Sequence, residues 1–529
     1  MQKKSRLEYS IINSSISTII FILTIGIQFI SRTIFIRFLG IEYLGLNGLF
    51  TNILSMLSLA ELGVGTSIIF SLYKPLQQED TATIKALMHL YKKIYNIIGI
   101  AIGIIGCLLI PFLPVIVGKD VGIPNIQLLY LLFLANSVFS YFFTYNRSLL
   151  NADQLGYLNV INTFAYLVVA TVIQVFVLYT TGNYALYLLI QIICTVISNI
   201  DISLRVKKRY KHVFQYQEIK KLDRETIKIL KQNTIGNLSN KIGSVVVLST
   251  DNILISIFVN LAAVGRYSNY VLIVNSIKGI FNQFTNSITA SIGSVAVSDD
   301  RENGREIFFR HYFINFILIY FATIVMFLSI QPFISWWVGS SYQLDNFIFT
   351  LIILNFVIGV FRNSAQVFIA AYGLAWIQRW KSVVESILNI VFSLIFLLIF
   401  DMGIAGVILA TILSSLTSVS WYEPYVVLKY GIHDRFGKYL FVTLKYCIAL
   451  GLGILATYPL FSLISATTLL SIILRSLAGI VIGAIVFVIL FYRTAEFKFV
   501  ISIFNSLITK LKNCLLYTSD AADDSLRVD

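Results

Sequence analysis

Inside an apolar run near the N-terminus, "QFISRTIFIRFLG" carries Arg32 and Arg37. A charge in hydrocarbon costs at least ~2.5 kcal/mol, so it turns toward a partner or a wet cavity. Five residues apart, the two guanidiniums leave a helix on different sides. Arg32 follows Gln28 and Ser31, a polar patch that suits a water-lined face, whereas Arg37 lies near an interface where snorkelling also accounts for it. Further along, "VNSIKGIFNQFTNSIT" carries Lys278 with Asn275, Asn282 and Asn286 at steps near one helical turn, the pattern of a cavity wall. Guanidinium and ammonium groups are strong donors to phosphate oxygens, and amides hydrogen-bond sugar hydroxyls. Arg32, Lys278, Arg37, Asn282 and Gln28 together predict a site for an anionic, hydroxyl-rich ligand.

The acidic residues in apolar runs are Glu61, Asp251, Glu385 and Glu423. Glu61, in "SLAELGVGTSIIFSLYKPLQQED", precedes Gly63 and Gly65, which permit close backbone approach between helices. Gating or pairing with a neighbouring helix suits it better than ligand contact. Asp251, in "STDNILIS", lies midway along its segment and has to be protonated, paired or hydrated. Ion coupling or gating is one reading of it, and a structural salt bridge or capped helix break is the other. Glu385 follows Arg379 and Lys381 by one to two turns and suits a local pair. Arg147 and Arg362 lie near segment ends, where topology or snorkelling explains them as well as ligand binding does. His89, His212, His311 and His433 read as surface residues at loops or helix ends. The cysteines, Cys107, Cys194, Cys447 and Cys514, have no metal-like spacing, and no phosphate-binding glycine loop precedes a Lys-Ser/Thr pair. Neither a metal nor a cofactor is expected, and the chain by itself is not expected to hydrolyse ATP.

The elements that carry these residues follow from composition. Of 529 residues, 57% are hydrophobic and 12% charged, with a mean hydropathy of +0.82, which fits no ordinary soluble class. Apolar runs near twenty residues predict membrane-spanning helices at 11–39, 42–72, 88–117, 125–150, 157–181 and 183–204, then 233–259, 263–296, 306–331, 345–371, 380–401, 403–428, 436–463 and 467–492. The expected fold is all-α, about fourteen spans in two six-helix lobes plus two C-terminal helices. Residues 1–204 form an N-lobe, 205–232 a basic linker, 233–430 a C-lobe, and 431–513 the last two helices with a tail.

The formal charge of +14 is distributed as topology signals rather than as a nucleic-acid surface. Alternate loops carry Lys3, Lys4 and Arg6, then Lys74 to Lys93, the 205–231 segment, Arg301 to Arg310, Arg379 with Lys381, and Lys429 to Lys438. The opposite loops offer Lys119 and Arg266. Basic residues stay on the cytoplasmic side, so both termini are expected there, in an inner (cytoplasmic) membrane. Within the linker, Ile219, Leu222, Ile229 and Leu230 have helical spacing; an interfacial helix on anionic lipid and a solvated tether are equally good readings.

The chain also resembles itself weakly at an offset of roughly 220 residues, as parallel repeats do. "IRFLGIEYLGLNGLF" aligns with "SIFVNLAAVGRYSNY", sharing Phe38/Phe258 and Gly45/Gly265. At the other end, residues 514–529, "CLLYTSDAADDSLRVD", turn abruptly acidic, and "CLLYTS" reads back as a transposon-end adapter. These sixteen residues are expected to be foreign to the natural C-terminus, the alternative being a disordered tail.

The stretches "SRTIFIRFLG", "LSLAELGVGTSIIFSLYKPL" and "STDNILISIFVNLAAVGRYSNY" resemble the Wzx-type polysaccharide flippases of the multidrug/oligosaccharidyl-lipid/polysaccharide exporter superfamily. The likeness extends over nearly the whole chain. It implies two lobes in a V around a cavity and alternating access without ATP. The implied cargo is an undecaprenyl-pyrophosphate-linked oligosaccharide repeat unit, moved from inner to outer leaflet for capsule, exopolysaccharide or O-antigen synthesis. Implied partners are membrane lipids, a glycan polymerase and a chain-length regulator. The lipid II flippases of the same superfamily carry an arginine late in their first helix and an Ala-Glu-Gly-type motif ending their second; by that likeness Arg32 matches the substrate-contacting arginine and Glu61 the motif glutamate. Thr33 stands where those proteins have an aspartate, so lipid II is not carried over as cargo. A cation-coupled multidrug exporter and a membrane glycan polymerase are the competing functions. The first is expected to place more acids in its cavity, the second to carry a large outer loop or a soluble catalytic domain.

Overall fold

The structure is a computed structural model, describing residues 6–61, 64–118, 122–215, 245–247, 249–297 and 301–503, with 222, 227, 230, 234, 505, 506 and 509. Gly63, Lys119, Ile219, Ile229 and the 514–529 tail lie outside the described residues. Among the described residues every element is helical. The first, α1 (Arg6–Leu57), covers the first expected span and the start of the second as two helical pieces that meet at Gly40, whose non-helical backbone has a φ of 83° that a side chain would strain. A 3-10 turn, Ser58–Glu61, leads toward α2 (Val64–Gln77). Then come α3 (Thr81–Leu108), opened by an Asp80 carboxylate that accepts from Thr83 N–H at 3.0 Å, the short α4 (Leu113–Val117), α5 (Ile126–Ala152), α6 (Gly156–Thr181) and α7 (Tyr184–Arg209). After α8 (Lys211–Gln215) and α9 (Val245–Phe258), the long helices are α10 (Leu261–Val297) and α11 (Arg301–Val338). The remainder are α12 (Asn346–Phe361), α13 (Asn363–Ala371), α14 (Lys381–Leu398), α15 (Gly403–Thr417), α16 (Val419–Val426), α17 (Phe436–Thr457), α18 (Leu460–Leu463) and α19 (Leu469–Phe491).

Among the described residues, 11 helices are long and apolar enough to cross a membrane, so the count of fourteen is not reached. Residues 11–57, two helical pieces that meet at Gly40, enter as one of the 11, α9 is too short in its described part, and α10, with Lys278 and its row of asparagines, is not among the 11. The protein is an integral multi-pass membrane protein. One helix shows the arrangement that contact with hydrocarbon demands, polar side chains inward and apolar ones outward. On α14, Ser382, Glu385, Ser386, Asn389 and Ser393 are buried, whereas Val384, Ile387, Ile390 and Val391 are exposed.

The chain folds as two compact units. One comprises Met1–Ser287, Trp337–Asn355 and Ala375–Trp421; the other Ile288–Trp336, Phe356–Leu374 and Tyr422–Asp529. Within the first, α1 crosses α10 at glycines: a Cβ on Gly45 would lie 1.9 Å from the Leu261 carbonyl oxygen, and one on Gly265 would lie 2.5 Å from that of Ile41. The two glycines that align at the long sequence offset therefore face each other. Lipid tails are as apolar as leucine, so close packing of this kind, rather than hydrophobic exclusion, holds membrane helices together.

In the second unit an aromatic stack along α11 is the core. Phe316 stacks on Tyr446 of α17 at 4.2 Å between centroids, and Phe313 and Tyr320 pack on Phe487 of α19. Gly453, Gly479 and Gly483 admit Tyr320, Leu328 and Ile324 to the backbones of α17 and α19. His311 corrects the surface assignment. It lies ten residues into α11, is buried, and its Nδ1 is 2.9 Å from Ser364 Oγ. Arg362 is no snorkelling residue either: it grips the fully buried Glu423 with two bonds of 2.9 and 3.0 Å.

Candidate functional site

Arg32 lies two turns before the bend of α1, in the first unit. Its Nη1 donates to Ser268 Oγ at 3.0 Å and, at 3.4 Å, to Asn269 Oδ1, both on α10. Ser268 in turn donates to the Gly265 carbonyl at 2.9 Å, which ties this contact to the glycine crossing. Among the described residues no carboxylate pairs with Arg32, so its charge is met by neutral dipoles alone. The guanidinium opens on a cavity of about 310 Å³ together with Gln28, Ser31, Asn47, Gln174 and Gln191. Tyr187 closes one wall, hydrogen-bonded to Ser31, and its carbonyl holds the Gln174 amide at 3.1 Å. None of the residues lining the cavity is acidic. A cationic, amide-walled space of this kind can take an oxyanion at Arg32 and hydroxyl groups around it.

A second polar cluster in the same unit joins α9, α14 and α15. Thr411 Oγ1 donates to Asp251 Oδ1 at 3.3 Å and accepts from Asn389 Nδ2 at 2.9 Å. The Asn389 Oδ1 is buried with no donor. One turn away along α14, Glu385 accepts from Ser415 Oγ at 2.9 Å. Asp251 and Glu385 are both buried, and their partners named here are hydroxyls that supply no charge.

Residues 11–290 match the family described as "Polysaccharide biosynthesis protein". The chain belongs to this polysaccharide biosynthesis family. Among solved structures it is similar to the lipid II flippase MurJ in an inward closed conformation, at 15% identity and a TM-score of 0.61, over 90% of this chain and 98% of that one. It is also similar to a multidrug resistance MATE family transporter of the MOP superfamily, inward-facing, at 12% identity and a TM-score of 0.59, over 78% and 98%. It is similar as well to a MOP superfamily transporter from Pyrococcus furiosus with a reversed polarity of its binding pocket, at 13% identity and a TM-score of 0.53, over 79% and 95%. No curated protein matches the chain. This polysaccharide biosynthesis protein therefore has a MATE- and MurJ-like fold.

Of the residues picked from the sequence of this family member, the structure brings Arg32 and Gln28 into one cavity. Arg37, Lys278 and Asn282 are not among the residues lining it. Arg37 and Asn282 are exposed, and Lys278 is half-buried beside Gly279, which packs on the Phe21 ring. The side chain of Asn286 lies outside what the structure describes. Gln174, Gln191 and Asn47 were missed, although the first two are lone amides in the apolar runs "TVIQVFVL" and "LLIQIICTV", a signal of the same kind as Arg32.

Glu61 sits in the turn after α1, where Tyr95 donates to Oε1 at 3.2 Å and Tyr141 is also hydrogen-bonded to it. Tyr91 donates to the Gly65 carbonyl at 3.2 Å just beyond. Two phenols from α3 and α5 thus tie the α1–α2 break to its neighbours. Tyr95→Phe is expected to lower the melting temperature of the detergent-solubilised protein by a few degrees, since one hydrogen bond to an acidic group is worth about 1.5–3 kcal/mol. An unchanged melt would show that the turn is held elsewhere.

Proposed function

We propose that the protein is a flippase that carries an undecaprenyl-pyrophosphate-linked oligosaccharide repeat unit from the inner to the outer leaflet of the cytoplasmic membrane, by alternating access and without ATP. The observation that carries this is Arg32, an intramembrane guanidinium that among the described residues bonds neutral groups alone, in a cavity of amides and hydroxyls. A pyrophosphate supplies the missing countercharge, and the amides suit sugar hydroxyls. A cationic drug would meet the wrong sign there, because none of the cavity's lining residues is acidic. Both termini lie on the cytoplasmic side, and a glycan polymerase and a chain-length regulator receive the product.

The test is translocation of a fluorescent lipid-linked oligosaccharide in proteoliposomes, run beside a drug-resistance assay in a hypersensitive host. Translocation without drug resistance supports the flippase. Drug resistance without translocation replaces it by the exporter.

Asp251 is the coupling group of this cycle. It is buried, and the hydroxyl of Thr411 that bonds it brings no charge, so proton or small-cation occupancy changes the local charge by one unit in a dry place. Asp251→Asn is expected to cut gradient-driven translocation at least tenfold while leaving cargo binding to the solubilised protein within twofold. The check is proteoliposomes with imposed proton or sodium gradients; full gradient-dependent transport by the variant would remove Asp251 from coupling.

A further inference from the structure

A second arginine of the first unit has no place in the site above. Arg147 of α5 is held by a fan of neutral acceptors: Nε bonds Asn199 Oδ1 at 3.2 Å, Nη1 bonds Thr163 Oγ1 at 2.9 Å, and Nη2 bonds Asn162 Oδ1 at 2.9 Å and Ser198 Oγ at 3.1 Å. The fan joins α5, α6 and α7, and a purely structural arginine there would be expected to take the nearby carboxylate. Asp201 is that carboxylate, but it is engaged instead by Arg205 at 2.9 Å and by the Asn162 amide at 2.9 Å. Arg147 is left charged and oriented, with Asp201 close enough to act on it through space but, among the described residues, no carboxylate bonded to it.

It lines a groove of about 690 Å³, within the usual range for small-molecule sites of about 300–1,000 Å³. Asn13, Ser17, Asn151, Asn159 and Gln283 supply the rest of its polar wall. Asn159 Oδ1 is a buried acceptor with no donor. This groove and the Arg32 cavity lie along the same two helices, α1 and α6, and share Leu167 as a wall. At ~1.5 Å per residue, Ser17 and Arg32 are roughly 22 Å apart along α1, a distance that an extended oligosaccharide spans.

We infer that Arg147 is a second anion site, for a carboxylate borne by a sugar of the glycan whose pyrophosphate is held at Arg32. The cargo is thus an acidic repeat unit. The guanidinium takes the sugar carboxylate. This rests on the flippase function proposed above.

Two soluble probes separate the two ends: farnesyl pyrophosphate for Arg32, and digalacturonic acid, with neutral galactobiose as its control, for Arg147. Calorimetry on the full chain in nanodiscs is expected to show digalacturonate binding that falls at least tenfold in Arg147→Gln and less in Arg147→Lys, which keeps the charge but not the fork, stays within threefold in Arg32→Ala, and exceeds galactobiose binding. Ser17→Trp fills the groove without touching the Arg147 bonds and is expected to abolish digalacturonate binding while sparing farnesyl pyrophosphate, so misfolding of Arg147→Gln cannot decide the outcome. Equal binding of the charged and neutral disaccharides, unchanged binding in Ser17→Trp, or no digalacturonate binding to the wild type overturns the second site. Any of these with farnesyl pyrophosphate still bound leaves the flippase intact. Absence of farnesyl pyrophosphate binding to the wild type removes the flippase function at Arg32 instead, and the acidic-cargo assignment with it.

Discussion

Arg32→Ala is expected to abolish glycan export in a host lacking its own flippase, with the protein still present in the membrane at the wild-type level. Removing one partner of a buried, charge-assisted contact costs ~2–5 kcal/mol, which is roughly 30-fold to several thousand-fold in binding. The protein side loses less. Ser268 keeps its bond to the Gly265 carbonyl, and the Asn269 contact is already long at 3.4 Å, so the fold survives the truncation. Arg32→Lys keeps the charge but not the planar fork and is expected to fall between the two, about tenfold down. The measurement is surface glycan quantified against membrane protein level. Wild-type export by the alanine variant would take Arg32 out of the transport path altogether.

Arg32 and Gln28 were legible in the sequence because their cost in hydrocarbon is a local property: a charge beside amides in an apolar helix needs water or a ligand whatever surrounds it. Gln174 and Gln191 carried the same kind of signal at lower amplitude, one amide each. Lys278 and Asn282 stand outside the Arg32 cavity for a different reason. Their spacing marks a polar face of α10 but not which way that face turns. The crossing at Gly45 and Gly265 sets the rotation, and it presents Ser268 and Asn269 to Arg32. Long-range pairing was similarly hidden. Glu385 meets Ser415, 30 positions away, as well as sitting near the basic residues that precede it, and Glu423 draws Arg362 from 61 positions away. The all-helical membrane fold was evident from hydropathy alone, and the gap between the first two apolar runs, after residue 39, falls on the non-helical Gly40 that divides α1.

Gly45→Ala carries the largest structural effect. Its new methyl would lie 1.9 Å from the Leu261 carbonyl oxygen, and the obstructing atom is backbone, which no rotamer change can remove. Helix α1 has to back away from α10 by roughly 1 Å or more, at a cost of ~1–3 kcal/mol in lost close packing. Arg32 spans the same two helices, one to two turns from Gly265 in space, with Ser268 bonded to the Gly265 carbonyl. Separation therefore stretches the 3.0 Å contact that orients the guanidinium, and cargo affinity is expected to fall several-fold together with the melting temperature. Gly265→Ala acts on the same crossing, 2.5 Å from the Ile41 carbonyl, so the double variant is expected to cost less than the sum of the singles. Gly26→Ala is the control: nothing lies within 4 Å of its added methyl, and replacing a helical glycine there is neutral or stabilising by about 0.5–1 kcal/mol. Thermal unfolding of the purified variants, followed with farnesyl pyrophosphate titration of each, checks both halves. A Gly45→Ala protein that melts and binds like Gly26→Ala would show that the α1–α10 crossing is not what positions Arg32.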